Sequence, residues 1–135
     1  MAVTLGNYPI VRKIGEGGMG RIYLVRDHDD TYWAAKEYKG DLAQSLLVHR
    51  FRREFRALQA LEHPAIVKVK NLEYTQKQMF FLMEYINGTS MDQILRQVKA
   101  RDSEWIKKVL VWMHYLCDPL HYIHSKNMVH RDLKP

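Results

Sequence analysis

The 135-residue chain contains one cysteine, Cys117. One thiol cannot build an internal disulfide framework, and it fits a reducing compartment, so a cytoplasmic location is expected. Long apolar runs are missing as well. The most hydrophobic stretch, residues 109–120, is broken by His114, Asp118 and Pro119 and is too short to cross a bilayer. Residues 1–9 carry no basic leader and no apolar core, so no signal peptide is expected. There are no internal repeats and no low-complexity segments. What remains is an ordinary globular composition, 47% hydrophobic and 27% charged, able to bury a core of one domain or part of a larger one.

The balance of 21 Lys+Arg against 15 Asp+Glu leaves a net charge of +6. A basic domain can bind nucleic acid. Here the densest cluster, Arg50, Arg52, Arg53 and Arg56, falls on one helix whose aromatics, Phe51 and Phe55, lie on its apolar face rather than beside the arginines. The cluster therefore reads as a solvated basic face and not a nucleic-acid interface, with attraction of an anionic substrate or phosphosite as the lesser reading.

The pattern along the chain is α+β. Alternating or β-branched runs at Tyr8–Ile14 and Arg21–Arg26 flank a glycine turn as a hairpin. A third strand follows at Thr31–Tyr38, then a helix over Leu46–Leu61 that His63-Pro64 closes off. Val67–Tyr74 and Met79–Tyr85 complete a five-stranded antiparallel sheet covered by one helix. Beyond a boundary near residue 87 the chain turns helical. Ser90 is the N-cap of a helix from Met91 to about Lys99, and Trp105–Ser125 is a longer helix that Pro119 kinks or restarts, with Asp118 as cap. Asn127-Met128-Val129 reads as a short strand.

The glycine run Gly15-Glu16-Gly17-Gly18-Met19-Gly20 can be tested against three phosphate-binding designs. A Walker A loop needs Lys-Ser/Thr after its second glycine, but Arg21-Ile22 follows Gly20. A dinucleotide fold needs a helix to begin inside the motif, whereas residues 21–25 are strand-like. A glycine-rich hairpin turn lying over phosphates, where missing side chains let backbone N–H groups approach anionic oxygens, survives beside an ordinary glycine turn. Lys36, on the small apolar strand Tyr32-Trp33-Ala34-Ala35-Lys36, is either a snorkelling strand-end lysine or a phosphate ligand needing a carboxylate partner. At about 100° per residue, Glu54 falls inside the apolar stripe of Phe51, Phe55, Leu58 and Leu61. A carboxylate there requires a cation, and Lys36 is the better candidate than Arg50. Further on, His130-Arg131-Asp132 offers Asp132 as a base for a hydroxyl proton, with Lys134 placed to steady a transferring phosphate. His114, Cys117, His121 and His124 share a helix quadrant. Ten helical residues span about 15 Å, so one straight helix cannot close all four on one ion with bonds near 2 Å, and no metal site is expected in this chain.

With these four motifs in order, the chain from Tyr8 to Pro135 resembles the eukaryotic-like (Hanks-type) protein kinases. The wording Gly-Glu-Gly-Gly-Met-Gly-Arg-Ile-Tyr looks most like the bacterial Ser/Thr kinases of that type. The resemblance implies a small ATP-binding lobe over residues 1–86 and the start of the large lobe over 87–135. It makes Ile14, Gly15, Glu16, Gly17, Gly18, Met19, Gly20, Arg21 and Ile22 the loop over ATP, with Ile22 and Ala34 as adenine-pocket walls. Lys36 would pair with Glu54, Met83 would guard the back of the pocket, and Glu84 to Ile86 would be the hinge whose backbone bonds adenine. Asp132 matches the catalytic base, and Asp132-Leu133-Lys134-Pro135 resembles the serine/threonine branch. The family's Mg²⁺ ligands, an Asn and an Asp-Phe-Gly, are expected beyond residue 135, and this chain alone is expected to be inactive. The expected partners are ATP and a protein substrate, with no nucleic acid and no membrane segment. Trp105–Ser125, apolar on two faces, is expected to be hidden by self-association or by a partner, or else to leave residues beyond about 100 poorly ordered. A stand-alone module that binds nucleotide or a partner without turnover is the alternative.

Overall fold

The structure, a computed structural model, describes residues 3–99 and 101–135. The chain divides into two compact units, Met1–Ile86 and Asn87–Pro135. The first is α+β. Strands β1 (Thr4–Leu5), β2 (Tyr8–Glu16), β3 (Gly20–Arg26), β4 (Tyr32–Tyr38), β5 (Val69–Tyr74) and β6 (Met79–Glu84) form one sheet in the order β1-β2-β3-β4-β6-β5. Every neighbouring pair is antiparallel. Helix α1 (Ser45–Gln59) is inserted between β4 and β5. The sixth strand, absent from the sequence reading, is the two-residue β1, joined to β2 through Gly6 at φ 55°. A β-carbon at Gly6 would lie 2.9 Å from the Phe80 ring, so both the left-handed turn and the close packing require glycine.

Period-two alternation on β6 divides the core in two. Phe80 and Leu82 join Leu5, Val25 and Ala35 on one face of the sheet, with Tyr8, Ile10, Tyr23 and Trp33 packed around them. Met79 and Phe81 turn to the other face, where they meet Tyr38 and the Phe51 and Phe55 rings of α1. Phe81 is the centre of that second cluster, with ring centroids 5.2 Å from Phe51 and 5.6 Å from Phe55. Tertiary packing rather than capping holds α1. Its N-cap position, Gln44, makes no side-chain cap bond, and its first turn has no acidic residue.

The β3–β4 turn is tied to β5 by charge. Asp27 accepts a 3.0 Å bond from Lys70 Nζ and a 2.7 Å bond from the His28 backbone N–H. These donors, Lys70 foremost, hold its carboxyl at about 2 instead of the ordinary 3.8. The Lys70 ammonium also sits 4.6 Å from the centroid of the Trp33 ring, a cation–π contact.

The second unit comprises α2 (Met91–Gln97) and α3 (Ser103–Ser125). Ser90 caps α2 in a full capping box with Gln93, and the Asp102 carboxylate caps α3 by accepting from Trp105 N–H. Pro119 lies inside α3, which runs through it instead of restarting at Asp118. The end of α3 also departs from the sequence reading. Asn127 takes φ 57°, Met128 N–H donates to Ile123 O at 3.0 Å and Asn127 N–H to His124 O at 2.9 Å. That is a Schellman motif with asparagine in the left-handed position, so residues 127–129 close a helix and form no strand. No helix among the described residues is long and apolar enough to cross a membrane.

Candidate functional site

The glycine turn joins β2 to β3, with Gly15 paired to Ile22 and Glu16 to Arg21. Gly17 N–H donates to Gly20 O at 2.8 Å, which closes the turn. β-carbons built at Gly17 and Gly18 would meet nothing within 4 Å, so the tip is open and its backbone is approachable. Gly20 is different: it is buried, and a β-carbon there would lie 2.7 Å from the Glu37 carbonyl oxygen and 3.3 Å from two carbons of the Lys36 side chain. The tip is braced from below, where Lys39 N–H donates to Met19 O at 3.2 Å. Glu16 forms an ion pair with Lys13 and a second with Lys39 at 3.4 Å. These ammonium groups, Lys13 first, hold the Glu16 carboxyl below its ordinary value. Lys39 was not visible as a site residue in the sequence, because its partner lies 23 positions away and no local pattern links them.

Lys36 lies on β4 between Ile22 of β3 and Phe81 of β6. Residues directly opposite one another share a face, as do residues two apart on one strand. Lys36, Ile22, Ala34, Leu24 and Met83 therefore face the same side of the sheet, the side that α1 covers. The Lys36 Nζ is 2.5 Å from Glu54 Oε1, and the two side chains are 20% and 31% exposed. The apolar stripe of α1 positions that carboxylate: Phe51 and Phe55 anchor the helix, and Glu54 lies at the edge of the stripe, facing the lysine.

Ala34 is buried and pairs with Met83, which packs against the α1 cluster. Glu84 ends β6 opposite Trp33, and its N–H donates to Lys68 O at 2.8 Å. Ile86 is exposed at the close of the first unit. In the second unit, Lys134 Nζ lies 3.0 Å from Asp132 Oδ2, with both side chains largely in solvent. Asp132 N–H donates to His130 Nδ1 at 3.3 Å, and Arg131 between them sits at φ 62°, a conformation uncommon for a residue with a side chain. Among the described residues no group of three or more His, Cys, Asp or Glu side chains converges on a possible metal position.

A glycine hairpin in an antiparallel sheet and a strand lysine paired to a helix carboxylate, with His-Arg-Asp later in the chain, are the marks of the kinase class of fold. The protein kinase domain profile matches residues 8–135. The chain belongs to that family. It is 37% identical over 138 residues to the serine/threonine-protein kinase PknD of Chlamydia pneumoniae, and 35% identical over 138 residues to that of Chlamydia trachomatis serovar D. It is also 34% identical over 139 residues to the PknD of Chlamydia abortus. These alignments take in 95–96% of the chain but 15% of each relative, so the chain spans about a seventh of the length of the curated relatives it matches.

Proposed function

We propose that this chain is the ATP-binding part of a serine/threonine protein kinase, whose activity is transfer of the ATP γ-phosphate to protein Ser/Thr hydroxyls. The observation that carries the reading is the Lys36–Glu54 pair on the sheet face shared with Ile22, Ala34 and Met83. The names of the relatives and the segment Asp132-Leu133-Lys134-Pro135 support the serine/threonine branch. In this reading residues 1–86 are the small lobe and 87–135 the start of the large one.

Residues 14–22 lie over the phosphates, and the open backbone at Gly17 and Gly18 suits close approach to anionic oxygens. Lys36 reaches the α- and β-phosphates, and Glu54 prevents its ammonium from swinging away. Ile22 and Ala34 wall the adenine pocket and Met83 closes its back. The Glu84 N–H is committed to Lys68 O, so adenine bonding falls to the other backbone groups of Glu84 to Ile86. Asp132 accepts the hydroxyl proton and Lys134, 3.0 Å away, steadies the transferring phosphate.

Mg²⁺ is a hard cation that needs several oxygen ligands. In this reading the residues above hold the nucleotide, and its Mg²⁺ ligands are the family's Asn and Asp-Phe-Gly, expected beyond residue 135. The free, exposed thiol of Cys117 is in keeping with a cytoplasmic location.

Calorimetric titration of residues 1–135 with ATP, with and without Mg²⁺, tests the reading. The expected result is weak binding with little Mg²⁺ dependence, lowered roughly 10- to 100-fold by Lys36→Ala, and no transfer of labelled phosphate. Robust Mg²⁺-dependent autophosphorylation by residues 1–135 would show that they are catalytically self-sufficient. Absence of any Lys36-dependent nucleotide binding would remove the ATP site.

A further inference from the structure

We propose that the outer face of α1 is a docking groove for a phosphorylated serine or threonine side chain of a partner polypeptide. His49, Arg52, Arg53 and Arg56 follow one another at i, i+3, i+4 and i+7, which places them on a single stripe of the helix. Together they line a cavity of about 290 Å³. At about 100° per residue the stripe is centred roughly 150° around the helix from Glu54, so the groove is distinct from the Lys36 site.

The charges of this stripe are uncompensated. Elsewhere Arg21, Arg26 and Arg96 each face a carboxylate. Among the described residues no carboxylate forms an ion pair with Arg52, Arg53 or Arg56, and the only acidic residue of α1, Glu54, is engaged by Lys36. Like charges at i, i+3 and i+4 repel along a helix, and an anion bound between them relieves that repulsion. One wall is already set: the Arg52 guanidinium stacks 5.8 Å from the centroid of the Tyr74 ring on β5.

The chemistry selects a phosphate monoester. Guanidinium forks bind phosphate oxygens bidentately, which ammonium groups cannot do. The cavity has room for a phosphorylated side chain together with its backbone. A nucleic acid is less well matched, because base stacking needs exposed aromatic faces. Phe51 and Phe55 are buried on the far side of α1, which leaves Tyr74, half exposed and with the Arg52 guanidinium over its ring, as the one aromatic beside the groove, too few for a run of stacked bases.

Fluorescence anisotropy on the 135-residue chain tests this with a short Ala/Gly peptide carrying one phosphoserine, beside the same peptide with serine. The phosphopeptide is expected to bind saturably and at least roughly 10-fold more tightly than the serine peptide. Arg53→Ala/Arg56→Ala removes that difference with the circular dichroism spectrum unchanged. Arg53→Lys/Arg56→Lys, equal in charge but without the fork, weakens the phosphopeptide to an intermediate degree. If the double alanine variant fails to fold, the single Arg56→Gln variant carries the test. Equal affinity for both peptides, or phosphopeptide binding indifferent to these arginines, overturns the proposal. So does a single-stranded oligonucleotide or an anionic vesicle that binds the same arginines more tightly than the phosphopeptide. Lys36→Ala separates the two sites: phosphopeptide binding persists in that variant whether or not nucleotide binding does.

Discussion

Gly20 and Lys36 lie on adjacent strands in such close contact that a β-carbon on Gly20 would come within 3.3 Å of two Lys36 side-chain carbons, and within 2.7 Å of the Glu37 carbonyl oxygen. The missing side chain at Gly20 lets the lysine stem lie along β3 and carry its ammonium to Glu54. The last glycine of the loop therefore acts on the lysine, while Gly17 and Gly18 act on whatever approaches the tip.

Substitution separates these roles. Gly20→Ala forces backbone or lysine to move, and overpacking of this kind costs about 1–3 kcal/mol. A lower melting temperature and weaker nucleotide binding are expected together. Gly18→Ala meets open space and leaves the melting temperature unchanged. Thermal melts of the two variants, side by side, check the contrast; equal melting temperatures would refute it.

Glu54→Gln keeps the shape of the side chain and removes the charge that fixes Lys36. A part-exposed ion pair contributes about 0–1 kcal/mol to stability, so the melt moves little while ATP affinity drops roughly 10-fold. Phe51→Ala, on the same helix but fully buried, does the reverse. Its loss costs about 3–5 kcal/mol, a large share of the roughly 5–15 kcal/mol that holds a domain together. Paired denaturation and titration curves distinguish a positioning role for Glu54 from a structural one.

Acid stability has a marked group in Asp27. Its carboxyl titrates at about 2 in the folded chain against an ordinary 3.8, because Lys70 and the His28 N–H favour the charged form. A depressed folded value means that the stabilisation is complete above the ordinary value and is lost as pH falls from near 3.8 towards 2. Asp27→Asn should lower stability at neutral pH and flatten the pH dependence in that window. Urea melts across it, with wild type and variant losing stability in parallel, would count against this assignment.

Helix α3 is apolar on two sides, and the structure treats them differently. Val109, Trp112 and Leu116 are half-buried and Ile123 is buried, whereas Leu110, Met113 and Cys117 are exposed with Ile106 on the same stripe, which ends at the half-buried Leu120. Each large side chain left in water forgoes roughly 1.5–3 kcal/mol of burial, and a contiguous patch of this kind favours association. Residues 1–135 by themselves are expected to self-associate, and Leu110→Lys/Met113→Lys to reduce it. Light scattering across a concentration series checks this; a strict monomer with α3 fully protected from hydrogen exchange would contradict it.

The glycine turn, the strand that carries Lys36 and the helix stripe that carries Glu54 were legible in the sequence because each is a local pattern. A turn needs its glycines, a strand alternates, and a lone carboxylate on an apolar helix stripe demands a cation. Other features had no local signal. A two-residue strand such as β1 is too short to show a period, and the left-handed Asn127 is specified by the end of α3, not by its β-branched neighbour Val129. Pro119 left a kink and a restart both open in the sequence, and α3 continues through it without restarting.

By itself, the sequence determined the α+β class, the order of the motifs and the helical stripe that holds Glu54, since periodicity and turn chemistry depend on neighbours along the chain. Only the tertiary structure decided that Glu54 takes Lys36 and not Arg50 as its cation, that Lys39 braces the loop from below and that Gly20 yields its space to the Lys36 stem. It also decided that Arg52, Arg53 and Arg56 line one cavity and, among the described residues, form no ion pair with a carboxylate. These outcomes depend on which strands and helices come together across 18 or more intervening positions, and packing, not local pattern, sets those distances.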